Sequence, residues 1–93
     1  MAPGKAEEIL EQPILARFSS SLLGVLIRQG IYEQEAPNLY LYDLNQGTYY
    51  GYLDLNKLTG VEVFREPVDF VFLEEKTKGA IAYSCKDRIF ILY

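Results

Sequence analysis

The sequence of 93 residues predicts a mainly β (α+β) domain, an N-terminal helix followed by an antiparallel meander or small barrel of about six or seven strands. Two observations lead to this class. Short runs rich in Tyr, Val, Ile, Phe and Leu recur every 8–12 residues or so, separated by Gly, Asn or Pro. The first residues, by contrast, are mostly helix formers. A chain of this length forms a single domain, residues 1–93, around one modest core.

The N-terminal third contains the predicted helix and a segment that fits two structures. Residues 5–12 (KAEEILEQ) favour a helix, and Pro13 either ends this helix or begins the next one. The apolar residues that follow occur at helical spacing, yet Ser19–Ser21 and Gly24 are poor residues for a helix interior. We expect helix as far as about Ser19 and a strand over Leu22–Tyr32.

The centre of the sequence is a tyrosine-rich hairpin over Leu39–Leu55. Asn45-Gln46-Gly47 has the composition of a three-residue turn in which Gly47 takes the left-handed conformation. Such a turn predicts three cross-strand pairs: Leu44 with Thr48, Tyr42 with Tyr50, and Tyr40 with Tyr52. Side chains alternate along a strand, so these four tyrosines share one face. The opposite, core-facing side then carries Leu39, Leu41, Leu53 and Leu55, together with Tyr49 and Gly51.

The C-terminal half predicts four further strands, Val61–Phe64, Val68–Leu73, Ala80–Cys85 and Arg88–Tyr93. The run 56–60 (NKLTG) is a turn, and its start repeats the Asp-Leu-Asn of the hairpin corner. Two of the strands, 70–73 and 89–93, are apolar on both faces. One sheet of a small domain needs only one apolar face, so this excess indicates either a closed barrel with helical cover or a dimer interface.

Charge is distributed unevenly along the chain. The net charge is −4, and no Lys or Arg occurs between Gln29 and Asn56. That segment contains the whole tyrosine hairpin and four carboxylates, Glu33, Glu35, Asp43 and Asp54. An acidic neighbourhood of this kind disfavours the phosphate backbone of a nucleic acid as a partner.

Several kinds of chemistry lack the residues they require. The chain has no histidine and one cysteine, Cys85, so we expect no zinc site, no cofactor and no catalytic residue. The first residues, MAPGKAEEILEQ, lack the basic segment followed by an apolar segment that is typical of a signal peptide. No apolar run is long enough to span a bilayer. We therefore expect a soluble, cytoplasmic protein without a membrane partner.

These observations favour a non-catalytic protein–protein interaction or assembly module that self-associates. Tyrosine combines a large contact area with a polar tip and is enriched in interfaces. The predicted partner-binding residues are Tyr40, Tyr42, Tyr50, Tyr52, Glu33, Glu35, Asp43 and Asp54. One alternative is a small acidic inhibitor or accessory protein of viral or mobile-element origin that mimics nucleic acid. Another is a small enzyme that uses the carboxylates Asp43 and Asp54 as an acid–base pair.

Overall fold

A computed structural model of the chain describes residues 4, 6, 13–29, 36–63, 66–73 and 80–93. These residues form seven strands and one short helix, in two antiparallel sheets. The first sheet has the order β1-β2-β3-β4 and the second β5-β6-β7, so each sheet is a simple meander. The elements are β1 (Pro13–Phe18), β2 (Leu22–Gln29), β3 (Ala36–Asp43), β4 (Thr48–Asp54), α1 (Leu55–Thr59), β5 (Val68–Leu73), β6 (Ala80–Cys85) and β7 (Arg88–Leu92).

The mainly β class is confirmed, but the predicted helix as far as about Ser19 is wrong. The segment from Pro13 is a strand, which pairs with β2 through Phe18 and Leu23. The serines explain the reversal, since the Ser19 hydroxyl accepts a hydrogen bond from the Leu22 N–H at 2.8 Å and closes a tight turn. The helix predicted over residues 5–12 lies outside the described residues, except for Ala6, which is in no helix.

Three further predictions need correction. The run 56–60, predicted as a turn, forms most of the short helix α1 and its C-cap, Gly60. The described part of the predicted strand Val61–Phe64, residues 61–63, belongs to neither sheet, and Val63 packs its side chain into the core instead. The sheets also do not join into a closed barrel. The strand predicted from Leu22 is observed as β2, which runs to the last described residue before the gap at 30–35.

The core lies between the inner faces of the two sheets. Side chains from both sheets, from α1 and from the connection after α1 are buried there: Leu26, Leu39, Leu41, Leu55, Val63, Phe70, Ile81, Tyr83 and Cys85. Each large apolar side chain buried in this way stabilises the fold by roughly 1.5–3 kcal/mol relative to exposure. The predicted core-facing role of the hairpin leucines is therefore confirmed for Leu39, Leu41 and Leu55, and Leu53 packs against the same cluster.

One glycine sets how closely the sheets approach each other. A Cβ placed on Gly24 of β2 would lie 2.8 Å from the ring of Phe72 and 2.9 Å from the ring of Phe70. These two rings meet edge to face, with centroids 5.6 Å apart. The second sheet therefore packs its aromatic side chains directly against bare backbone of the first.

Polar contacts join the sheets at one side. The Arg17 guanidinium of β1 donates to the Asp69 carboxylate of β5 at 3.1 Å, and both side chains are about half exposed. An exposed pair of this kind contributes at most about 1 kcal/mol. Arg28 of β2 also donates to the backbone carbonyl of Glu66, just before β5.

Candidate protein-interaction surface

The β3–β4 hairpin has the predicted register in the half far from the loop and a different register next to the loop. Tyr40 pairs with Tyr52, as predicted, but Tyr42 pairs with Tyr49 and not with Tyr50. The loop takes one residue more than predicted, since Gly47 N–H donates to the Asp43 carbonyl at 2.8 Å and Asp43 pairs with Thr48.

A β-bulge in β4 compensates for the extra loop residue. The register shifts after Leu41, which pairs with Gly51, so Tyr50 is the unpaired residue of a β-bulge. Gly51 accommodates the bulge at a φ of 148°, a conformation that side chains rarely adopt. Gly47 has a φ of 69°, which confirms the predicted left-handed glycine.

Because of the bulge, Tyr49 and not Tyr50 contacts the rings of the other tyrosines. Tyr49 lies beside Tyr42 and Tyr40, with ring centroids 5.6 Å and 6.0 Å apart. Tyr40 also stacks on Tyr52 at 5.4 Å. Tyr50 takes part in none of these ring pairs and is 70% exposed. The tyrosine cluster is therefore Tyr40, Tyr42, Tyr49 and Tyr52.

The cluster continues across the whole first sheet, because residues directly opposite in antiparallel strands project from the same face. The pairings place side chains in two rows that each cross all four strands. One row is Phe18, Leu23, Tyr42 and Tyr49, and the other is Ala16, Val25, Tyr40 and Tyr52. Neither row contains a charged residue. We call this the aromatic surface.

The two ends of the aromatic surface are open to solvent. Phe18 on β1 is 70% exposed, while Tyr49 and Tyr52 on β4 are 53% and 56% exposed. Val25, between them, is buried. A large exposed Phe and two exposed Tyr rings in two rows without a charged residue are features that mark interaction sites in proteins.

The hydroxyls of Tyr42 and Tyr49 stay protonated at neutral pH. Partial burial raises the pKa of Tyr42 above its ordinary 10.0, and the neighbouring Tyr49 and Tyr40 raise it further. Desolvation also raises the pKa of Tyr49, again assisted by adjacent tyrosines. The cluster can therefore offer hydroxyl donors to a partner, in addition to ring faces.

The two predicted acidic residues that the structure describes, Asp43 and Asp54, accept local backbone hydrogen bonds. The Asp43 carboxylate accepts hydrogen bonds from the N–H groups of Asn45 and Gln46, at 2.8 and 3.2 Å, and so holds the hairpin loop. Asp54 caps α1 by accepting from the Lys57 N–H at 3.2 Å. Glu33 and Glu35 lie outside the described residues.

The two aspartates occupy opposite ends of the hairpin. Asp54 pairs with Asn38, five positions before Asp43 on β3, so about 17 Å of strand separates them. Asp54 lies one row beyond Tyr40 and Tyr52 on the same face of the sheet, whereas Asp43 directly follows Tyr42 and so projects from the opposite face. The two carboxylates are too far apart for an acid–base pair. In the described ranges no three potential metal ligands lie together.

Sequence reasoning missed Phe18, Leu23 and Tyr49. The signal for Phe18 and Leu23 was present in the serine turn that joins them, but helical spacing obscured it. Tyr49 could not be found from a loop count, because a four-residue and a three-residue loop are both compatible with Asn-Gln-Gly. Only the position of the bulge decides which tyrosine faces the cluster.

The second sheet offers less for a bound molecule. A shallow depression of about 170 Å³ on its outer face is lined by Asp69, Phe70, Val71, Ala82, Ser84 and Ile89. That volume is below the 300–1,000 Å³ or so of typical small-molecule sites. No helix in the described ranges has the length and apolar character needed to cross a membrane.

The fold and the aromatic surface together define a small two-sheet β domain with an exposed, uncharged aromatic face. No protein-family model matches the chain, and neither a curated protein nor a solved structure is significantly similar to it.

Proposed function

We propose that the chain is a non-catalytic interaction module that binds another protein through the aromatic surface. The observation that carries the proposal is the pair of uncharged rows across the first sheet, which end in the exposed rings of Phe18, Tyr49 and Tyr52. Exposed aromatic clusters are costly to leave in water and are characteristic of binding faces.

The charges around the surface favour a basic partner. No Lys or Arg occurs from Gln29 to Asn56, and Asp54 lies on the same face as the tyrosines, one row beyond Tyr40 and Tyr52. Arg17, on β1, pairs with Gly24 on the core side and is engaged by Asp69. Tyrosine ring faces attract Arg and Lys side chains. The partner is therefore a protein segment that combines apolar residues with Arg or Lys.

The test is a selection of displayed random peptides on the immobilised domain, followed by binding measurements with the selected peptides. We expect peptides that combine Arg or Lys with apolar residues. The double variant Tyr42→Ser, Tyr49→Ser should bind them at least about thirtyfold more weakly, since the loss of even one tyrosine anchor buried in an interface costs about 2 kcal/mol or more. The fold should survive, because both residues lie on the outer face.

Tyr50→Ser is the matched control. Tyr50 is adjacent to Tyr49 in sequence and more exposed, but it lies outside the ring cluster, so its loss should leave binding unchanged. Equal binding by the double variant and the wild type would refute the proposal. So would a selection that returns no peptide above background, or one in which Tyr50→Ser has the larger effect.

Salt separates this proposal from a mimic of nucleic acid. A contact carried by aromatic rings should weaken only modestly with salt, whereas a contact carried by carboxylates should weaken steeply. Asp43→Asn and Asp54→Asn remove charge but retain an oxygen that can accept the same backbone hydrogen bonds. A steep loss of affinity in salt and in these variants would assign binding to the carboxylates.

A further inference from the structure

The two sheets have four outer strands, and three of them are protected against pairing with another chain. β1 begins with Pro13 and has a register shift before Leu15. β4 contains the bulge at Tyr50. β5 lies against β1, where Asp69 pairs with Arg17. Proline, bulges and charges are the usual means by which proteins prevent edge-to-edge association.

The fourth outer strand, β7, has no proline and no bulge, and its charged residue, Arg88, stands at its first position. Its register with β6 runs without a shift from Arg88 to Leu92, and residues 89–93 contain no charge and no proline. Its only neighbour within the described sheets is β6. Ile89 and Ile91 are 75% and 43% exposed, so the described part of the chain leaves much of both side chains uncovered.

The hairpin geometry shows which backbone groups of β7 are available. Lys86 and Asp87 form a two-residue turn, so the closing pair, Cys85 and Arg88, is of the hydrogen-bonded kind. Hydrogen-bonded and non-hydrogen-bonded pairs alternate from there. Ile89 and Ile91 thus direct their N–H and C=O groups away from β6, along the free edge.

We propose that β7 is a self-association strand, which pairs antiparallel with β7 of a second copy across a two-fold axis at Ile91. In this register Ile91 faces Ile91 of the second copy, and Ile89 faces Tyr93 on either side. Each of these pairs exchanges two backbone hydrogen bonds. The two three-stranded sheets become one continuous six-stranded sheet.

The lack of charged side chains on the edge and the fit of one register favour a second copy as the occupant. The strand is uncharged from Ile89 to Tyr93, so two copies do not repel each other there despite the net charge of −4. The register centred on Ile91 places only these uncharged residues opposite one another. The register centred on Phe90 would use fewer of the available backbone groups and would bring Arg88 opposite an apolar residue.

The proposal is independent of the aromatic surface, which lies on the other sheet. In such a dimer the aromatic surfaces of the two copies remain free, and each assembly presents two of them. Failure of the peptide selection would leave self-association untouched, and a monomeric chain would leave peptide binding untouched.

The first experiment is disulfide cross-linking of the full chain under mild oxidation, with Ile91→Cys and Ile89→Cys as matched variants. Two residues at position 91 would have Cα atoms about 5.5 Å apart across the axis, which a disulfide spans. Two residues at position 89 would be displaced by four positions, about 13 Å along the strands. We expect a covalent dimer from Ile91→Cys only, while the buried Cys85 keeps the wild type monomeric on a denaturing gel.

The second experiment measures solution mass by light scattering across a dilution series. The wild type should have twice the 10.7 kDa of one chain at high concentration. Ile91→Pro removes an N–H that faces the free edge and leaves the bonds to β6 intact, so the dissociation constant should rise at least about tenfold. Ile91→Lys keeps the N–H but places two charges together at the axis, and should do the same.

Several results would overturn the proposal. One is a wild type of 10.7 kDa at every concentration. Another is a dimer that persists in both Ile91→Pro and Ile91→Lys, with far-UV circular dichroism showing that both are folded. Equal cross-linking through Ile89→Cys and Ile91→Cys would contradict the two-fold at Ile91.

Discussion

Gly24→Ala is the substitution that tests most directly how the two sheets pack. The added methyl group would lie 2.8 Å from Cζ of Phe72, and 2.9 and 3.0 Å from two atoms of the Phe70 ring. Ordinary contacts of a Cβ are 3.4–4 Å, so the rings must move by several tenths of an ångström. Phe70 is buried and meets Phe72 edge to face, so neither ring can move without disturbing the other.

The expected magnitude follows from two opposing effects. Overpacking a well-filled core destabilises by about 1–3 kcal/mol. Alanine in place of glycine within a strand recovers roughly 0.5–1 kcal/mol of backbone entropy. The net loss of unfolding free energy should be about 0.5–2 kcal/mol. For a domain of this size each 1 kcal/mol lowers Tm by about 4–8 °C.

A double-mutant cycle separates this steric cost from other causes. In a Phe72→Leu background the nearest ring atom is absent, so Gly24→Ala should cost about 1 kcal/mol less than in the wild type. Gly47→Ala is the control, because its φ of 69° makes it costly while no atom lies within 4 Å. Its cost should be equal in both backgrounds.

Urea unfolding, monitored by circular dichroism, measures the unfolding free energy of the wild type and of each variant in the cycle. A Gly24→Ala variant as stable as the wild type would refute the close approach of the sheets. The same conclusion would follow if Phe72→Leu left the cost of Gly24→Ala unchanged.

Two further predictions concern stability. Burial, followed by the nearby Cys85 thiol, raises the pKa of Tyr83 above 10.0, so the folded state holds a proton that the unfolded chain releases. The unfolding free energy should therefore fall as pH rises above 10.0, and Tyr83→Phe should remove up to about 1.4 kcal/mol per pH unit of that fall. Urea unfolding on either side of pH 10.0 measures this difference. The same dependence of unfolding free energy on pH in the wild type and the variant would contradict the prediction. Asp54→Ala should cost about 1 kcal/mol by removing the cap of α1, while Asp54→Asn should cost little, and equal thermal stability of the two variants would show that the cap is unimportant.

Local patterns in the sequence were sufficient for much of the fold. Alternation of leucine and tyrosine assigned the core-facing side of the β3–β4 hairpin, and Gly47 marked the turn. These features depend on strand geometry and on the conformational freedom of glycine, which act over a few residues. The β6–β7 hairpin follows the same logic, and β7 ends one residue short of the predicted strand.

Three predictions failed where local signals conflicted with longer-range pairing. The segment from Pro13 has helical spacing, but pairing with β2 determines its structure. The predicted strand at Val61 gives way to an irregular connection that lets Val63 enter the core. A closed barrel is absent because the strands divide into two meanders. In each case contacts with distant parts of the chain outweigh a weak local preference.

By itself, the sequence determined the β class, the apolar side of the central hairpin and the absence of positive charge around it, since these depend on composition and alternation. Only the tertiary structure decided which tyrosine rings contact one another. A single bulged residue moves Tyr49 into the cluster and Tyr50 out of it, and pairing across four strands adds Phe18 and Leu23. Side chains alternate with a period of two, so a shift of one residue reverses the face of every side chain beyond it, and sheet pairing alone sets that shift.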